Sequence, residues 1–509
     1  MDKAAMGAMR GLLQREPLLF ERGSRGRGGA SLPKAGVPEY DPKDELGRLV
    51  RDPIDGLPEV SEPEVMRHYV RLSQWNYGID SGFYPLGSCT MKYNPKINEA
   101  AARLPGFARL HPYLPASLAQ GALQLMFELQ EMLSEIGGFV ATTLQPAAGA
   151  HGELAGLMMI RAYHRALGNP RQKVLVAETA HGTNPASSAL CGYQVVPIKI
   201  GPEGYLHPED VKRHLGPDVA ALMMTNPNTL GIFERYVGEI AQLCHEAGAL
   251  VYGDGANMNA LLGRARPGDM GIDVMQYNLH KTFTTPHGGG GPGSGPVGVA
   301  QKLVPFLPRP MVGRRSDGSY ALDFEGDQSI GKLRTFWGNF GMFVRAWTYI
   351  RENGPDGLRA VSGHAVLNAN YLRALLEGSY HLPYKTAVLH EVVFSDKEQK
   401  KTGVTTMDLA KRLIDHGLHP PTVYFPLVVQ GALMIEPTET ESKETLERFA
   451  TVMKEVAAEA QTNPQASHDA PVMTHLSRLD ETRAARFPVL RWTPGMDLDQ
   501  LQGGEAKAK

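Results

Sequence analysis

Apolar and polar positions along this chain follow two alternating rhythms. Over residues 118–136 and 152–167 apolar side chains return at helical spacing, and the second run closes on Gly168-Asn169-Pro170. Between and after them stand short apolar runs, 173–177, 194–199, 219–224 and 249–253, each read as a strand, with a short helix after Asn184-Pro185. One helix is especially clear. Ile240, Leu243, Cys244 and Ala247 share a face at i, i+3, i+4 and i+7, and Gly248 follows as a C-cap candidate. Helices alternating with short buried strands predict an α/β fold with a mainly parallel, helix-covered sheet, whose ligands gather beyond the strand ends.

The flanks read differently. Residues 1–62 are rich in Gly, Pro and Arg with little periodicity, as expected of an extended arm that lies on another surface. A helix is predicted over 63–76, and glycines and prolines exclude long elements over 77–95. Beyond residue 339 the pattern predicts a helix over 343–352, strands over 391–394 and 433–435, and helices over 407–416 and 443–458. The implied division is an arm (1–62), a large domain (63–340), a smaller α+β domain (341–492) and a solvated tail (493–509).

With 509 residues the chain can build several cores, and a formal charge of −2 gives no electrostatic case for nucleic acid or an anionic membrane. The cluster of Arg22, Arg25 and Arg27 fits a glycine-loosened arm better than a phosphate grip. The longest apolar stretch, 423–435, is interrupted by Pro426, Gln430 and Gly431, and the first residues lack the apolar core of a secretory signal. Three cysteines (Cys89, Cys191, Cys244) without a CxxC pair argue against a disulfide framework or a zinc site and fit a reducing cytoplasm.

The chemistry concentrates after one strand. Asn278-Leu279-His280-Lys281-Thr282-Phe283 is followed by His287 and the glycines 288–291, and Asp254 stands upstream in Gly253-Asp254-Gly255. An amine beside a bare, glycine-rich turn suits pyridoxal phosphate (PLP), which needs a lysine to form a Schiff base, here Lys281. It needs a carboxylate facing the ring nitrogen, for which Asp254 is the candidate. A phosphate cradle of backbone N–H groups at a helix start is offered by Ala148, Gly149 and Ala150, with His151 able to point either way. His181, in Ala180-His181-Gly182-Thr183-Asn184-Pro185, is placed to stack on the ring, with Thr183 and His280 as further cofactor contacts, and Asn226 or Asn228 donates to the ring oxygen. Cys89, between Ser88 and Thr90, is either a redox-sensitive thiol or a small residue packed beneath its loop.

These segments, together with Tyr84-Pro85-Leu86-Gly87-Ser88-Cys89-Thr90-Met91-Lys92 and Asp254-Gly255-Ala256-Asn257-Met258-Asn259, resemble the glycine cleavage system P-protein family, the PLP-dependent glycine decarboxylases. The resemblance runs from about Leu18 to Trp492, and the length is similar to the separate C-terminal-type subunit, subunit 2. It implies an aminotransferase-like (fold type I) architecture and decarboxylation of glycine, with transfer of the aminomethyl group to the lipoyl arm of H-protein. It also implies an α2β2 heterotetramer with subunit 1 and functional links to T-protein and L-protein. An arginine for the substrate carboxylate is not assigned; Arg334 and Arg345 are the choices. Two other expectations compete: another aminotransferase-like PLP enzyme acting on free amino acids, such as a cysteine desulfurase, and a non-catalytic structural subunit.

Overall fold

The computed structural model describes residues 16–29, 33–34, 36–52, 57–287, 293–474, 476–491, 493 and 496. The chain divides into two compact units, Met1–Ser81 with Ala470–Lys509, and Gly82–Asp469. In the first, the helix Glu62–Trp75 opens on a capping box between Ser61 and Glu64. Arg22 pairs with Glu16 at 2.8 Å and Arg27 with Glu64 at 2.7 Å, so two arginines of the basic cluster are engaged by acids of their own unit.

The second unit is built on a seven-stranded sheet. Its strands are β1 (Ala141–Thr143), β2 (Lys173–Ala177), β3 (Gln194–Ile198), β4 (Val219–Thr225), β5 (Leu250–Gly255), β6 (Val274–Tyr277) and β7 (Val297–Val299), in the order β1-β7-β6-β5-β4-β2-β3. Neighbours from β3 through β6 run parallel, while β7 lies antiparallel to β6 and β1 to β7. All seven residues of β4 are buried, as a strand covered on both faces requires. The register pairs Thr225 with Asp254 and Asp254 with Gln276, so one rung lies at the end of β4 and one residue short of the ends of β5 and β6.

Helices α1 (Gln120–Gly137), α2 (Gly149–Ala166), α3 (Thr183–Leu190) and α4 (Val237–Glu246) accompany this sheet. The start of α2 differs from the expected residue 152. Ala148 is its extended N-cap, so Gly149 and Ala150 belong to the first turn. Small residues are required there because α2 lies directly on β6: a Cβ on Gly152 would stand 2.7 Å from the Gln276 side chain, and one on Gly149 2.6 Å from Asn278 Oδ1. Strand β5 runs past the expected residue 253, which puts Asp254 one residue before its end.

Farther along, β8 (Met311–Arg314) and β9 (Tyr320–Asp323) form a hairpin that the apolar pattern does not announce. The expected helix over 343–352 is part of a longer element, α5 (Phe340–Leu376), broken at Gly354 (φ 62°) with Pro355 restarting it. Strands β10 (Val392–Ser395), β11 (Thr422–Val423) and β12 (Ala432–Ile435) make a separate antiparallel sheet in the order β10-β12-β11. It packs with α6 (Thr406–Asp415) and α7 (Lys443–Thr462) around Phe394, Leu433, Met434 and Phe449. No helix among the described residues is long and apolar enough to cross a membrane.

Candidate active site

Asp254 is buried at the end of β5, and three donors fix its carboxylate. Asn184 Nδ2 donates to Oδ2 at 3.0 Å, the Ala256 N–H donates to Oδ1 at 2.9 Å, and Gln276 Nε2 also donates to Oδ1. Oδ2 keeps a lone pair for one further donor. Behind this layer the Tyr252 hydroxyl donates to Gln276 Oε1. A buried anion so supported is pre-organised to face a cationic partner.

Lys281 lies just past β6, half-buried, in the turn that begins at Asn278. Its charge and that of Asp254 act on a common imidazole: His181, though open to solvent on one side, is lowered by the protein atoms crowding the other and by Lys281, and raised by Asp254. His181 is exposed, with Nδ1 2.8 Å from Thr183 Oγ1, and that hydroxyl donates to Glu153 Oε1 at 2.7 Å. The acid Glu153, on the inner face of α2, was not foreseen. Burial and the Asp254 charge push its carboxyl up to about 7. A lone glutamate among Gly152, Ala155 and Gly156 was the available signal, since a buried acid on a small-residue face has to be matched by donors.

The start of α2 faces the same turn. Gly149 contacts Asn278, a Cβ on Gly295 would stand 2.0 Å from the Ala148 carbonyl, and Asn339 Nδ2 donates to the carbonyls of Ala147 and Gly293. His151 is turned back: its Nδ1 accepts from the Ala147 N–H at 3.1 Å. The first N–H groups of α2 have no acceptor within the helix. His280 Nδ1 accepts from the Ser294 N–H at 3.3 Å, and burial with the Lys281 charge pushes the ring down to about 3, so it is neutral. The glycines 288–291 lie outside the described residues.

Asn226 and Asn228, equivalent in sequence, differ here. Asn228 is fully engaged, donating to the Gly204 carbonyl and Glu234 at 2.8 Å each and accepting from the Leu230 and Ile232 N–H groups. Asn226 accepts from the Glu234 N–H at 3.0 Å, while its Nδ2 is buried without a partner. The arginines separate similarly. Arg345 forms a two-pronged pair with Glu99 (2.6 and 2.8 Å), whereas Arg334 makes no ion pair among the described residues, and its charge adds to burial in lowering His151. Burial raises the Cys89 thiol above its usual range, against the pull of Lys281, which does not favour a thiolate.

These residues fit PLP. Buried polar atoms without partners lie in the Lys281 turn and its flank (Asn278 Oδ1, Thr282 Oγ1, Ser294 Oγ) and at the end of β4 (Thr225 Oγ1, Asn226 Nδ2). Unsatisfied groups at this density are costly unless a polar ligand meets them. A surface groove of about 970 Å³, lined by Met132, Arg266, Ile350 and Leu358, contains none of these residues.

The comparisons with known proteins identify the family. Residues 47–324 match the family model of the glycine cleavage system P-protein, and residues 361–475 match that of the glycine dehydrogenase C-terminal domain. A Listeria monocytogenes serotype 4a protein named "Probable glycine dehydrogenase (decarboxylating) subunit 2" is 56% identical over 478 residues, covering 94% of this chain and 98% of its own length. A protein of the same name from Desulforamulus reducens is 56% identical over 482 residues, covering 94% and 99%. Among solved structures, an inhibitor-bound glycine decarboxylase (P-protein) of the glycine cleavage system superimposes with a TM-score of 0.68 at 23% identity, over 82% of this chain and all of that one, which speaks to the fold. With matched models over both parts of the chain and near-full-length identity above one half, this chain belongs to the glycine cleavage system P-protein family, in its subunit 2 form.

Proposed function

We propose that this chain decarboxylates glycine with PLP and passes the remaining aminomethyl group to the lipoyl arm of an H-protein. Lys281 is the residue we assign to the Schiff-base linkage. The observation that carries this reading is a buried, three-fold supported Asp254 paired in register with Gln276, two residues before the turn that carries Lys281.

PLP, when bound, supplies an aldehyde that takes up an amine and a ring that accepts an electron pair. The chain's residues then have separable tasks. Ala148, Gly149 and Ala150 offer N–H groups to the phosphate at the start of α2, where the helix dipole favours an anion. Asp254 holds a proton on the ring nitrogen, and Asn184, Gln276 and Ala256 hold Asp254. His181, oriented by Thr183, covers the ring face, and Asn226 donates to the ring oxygen. His280 braces Ser294 behind the lysine turn rather than charging the site. Arg334 is the cation available to the substrate carboxylate. In the net reaction the glycine Cα–carboxylate bond breaks and CO2 leaves. A bond forms from that carbon to one lipoyl sulfur, the S–S bond breaks, and the other sulfur takes a proton. Carbon is oxidised and the disulfide reduced.

Similarity to proteins named subunit 2 supports a companion subunit 1, and we assign the working form to an α2β2 assembly in the cytoplasm, linked through H-protein to T-protein and L-protein. The divisions at residues 62, 340 and 492 are proposed as the arm, cofactor domain, small domain and tail. Borohydride reduction followed by peptide mass spectrometry tests the linkage: a pyridoxyl adduct is expected at Lys281 and is expected to vanish in Lys281→Ala. Exchange of labelled bicarbonate into glycine, with and without H-protein, tests the activity. Turnover of free amino acids without a carrier points instead to a stand-alone PLP enzyme, and a colourless chain in excess PLP to a structural subunit.

A further inference from the structure

At the rim of the small sheet, beside the loop that carries Cys89, stands a cluster to which no role has been assigned. His390, Glu391 and Glu436 are all fully buried. His390 Nε2 stands 3.9 Å from Glu391 Oε1 and 3.9 Å from Glu436 Oε1, and one ligand atom from each of the three lies within 4.8 Å of the others. Both glutamates also hold the loop that carries Cys89. The Ser88 N–H donates to Glu391 Oε2 at 2.7 Å, and Thr90 donates to Glu436 from its N–H (2.8 Å) and hydroxyl (2.6 Å). Glu391 Oε1 and both ring nitrogens of His390 are buried without hydrogen-bond partners, although Nε2 and Oε1 stand only 3.9 Å apart.

Two buried carboxylates and a neutral imidazole form a strongly cation-attracting triangle. Burial pushes Glu436 up to about 7 and Glu391 well above the usual carboxylate range, where the neighbouring Glu436 charge adds to the effect. Burial and the Lys281 charge push His390 down to about 3, leaving it neutral and able to accept a hydrogen bond. The Lys281 charge acts on all three, yet Lys281 makes no ion pair among the described residues. Size selects the cation. A nitrogen slightly above the centre of such a triangle is about 2.8 Å from each corner, an ordinary hydrogen-bond length. The triangle is too wide for zinc, whose bonds are about 2.0–2.2 Å. It also offers calcium far fewer than the ~6–8 oxygens it takes.

We infer that His390, Glu391 and Glu436 form a seat for a primary ammonium, and that its occupant is the ε-amine of Lys281 whenever that amine is free of the cofactor. The inference rests on the assignment of Lys281 to the linkage. In the exchange, one C=N bond passes from the lysine nitrogen to the glycine nitrogen, and two protons pass from the glycine ammonium to the lysine. Charge is conserved, and the released lysine is left as an ammonium. Three acceptors match its three N–H bonds, hold it away from the reacting carbon and compensate the carboxylates.

Trace acetylation of the cofactor-free, full-length chain at pH 8, with Lys281 modification read by mass spectrometry, tests the seat. A seated ammonium has no lone pair, so Glu391→Gln and Glu436→Gln are each expected to speed labelling of Lys281 about tenfold. Thr90→Val, which loosens the loop but keeps both charges, is expected to leave it unchanged. Unchanged rates in the Gln variants, or equal acceleration in Thr90→Val, overturn the inference, and if one Gln variant fails to fold the other decides. A stoichiometric metal in the purified protein also overturns it. So does a loss of glycine affinity on adding Glu391→Gln to PLP-loaded Lys281→Ala, because the seat then serves the substrate. Borohydride trapping of the wild-type chain reloaded with PLP is read separately: a missing adduct at Lys281 sinks the cofactor assignment, whereas unchanged acetylation of the cofactor-free chain sinks the seat alone.

Discussion

Replacing Asp254 with Asn removes a charge while nearly preserving shape, and the surrounding hydrogen bonds show what that isolates. With its carbonyl kept toward Ala256 and Gln276, the new amide turns its NH2 to Asn184, which now donates at 3.0 Å. Two donors would then meet. Asn184 Oδ1, however, is buried without a partner, so rotating the Asn184 amide converts the clash into a hydrogen bond. The expected folding cost is therefore that of one weakened neutral bond, about 1 kcal/mol. The catalytic cost is larger. Two unit charges about 4 Å apart at an effective dielectric of ~20 interact by about 4 kcal/mol, which corresponds to roughly three orders of magnitude in rate. Bicarbonate exchange with subunit 1 and H-protein present, alongside a thermal melt and cofactor absorbance, reads both quantities. A folded, PLP-loaded Asp254→Asn that keeps more than a tenth of the wild-type exchange rate would refute the role given to this carboxylate.

Two further perturbations test the site. Glu153 is 3% exposed and its carboxyl is raised from 4.5 to about 7, so the folded state binds its proton more tightly than the unfolded chain does. That contribution is complete below about pH 4.5 and is lost as pH rises to about 7, amounting to about 1–3 kcal/mol. Glu153→Gln is expected to flatten stability across that window and raise Tm at pH 8; an unaltered pH profile of Tm would contradict the assignment. Gly295→Ala would place a methyl 2.0 Å from the Ala148 carbonyl, a backbone atom that cannot swing aside, whereas Gly313→Ala meets nothing within 4 Å. The first is expected to cost about 1–3 kcal/mol and weaken PLP retention, and the second to do neither. Equal PLP affinity of the two variants, by fluorescence titration, would separate the cradle from this contact.

Neighbour-dependent features were the ones hardest to read from the chain. The edge strand β1 and its neighbour β7, three residues each, are too short to show a period, and antiparallel pairing sets β7 beside β6 and β1 beside β7 only once the sheet has closed. The early start of α2 is hidden in the sequence because Gly149 is a poor helix former; its close approach to Asn278 explains it. Asn226 and Asn228 look interchangeable until Glu234 and the Gly204 carbonyl satisfy one and leave the other's amide nitrogen free. Arg345 likewise was a candidate until Glu99, 246 positions away, took both its prongs.

Local order along the chain was enough to reveal the alternating helices and strands, the parallel sheet and the lysine and aspartate at its strand ends. Those depend on short-range spacing and on backbone chemistry that acts over a few residues. Partners of buried polar groups belong to a different class of information. Whether Glu153 finds Thr183, or His390 stands between two carboxylates, depends on segments 30 and 46 positions apart converging in a dry interior. There a missing partner is costly, so the folded arrangement alone determines which side chains are held and which stay free for chemistry.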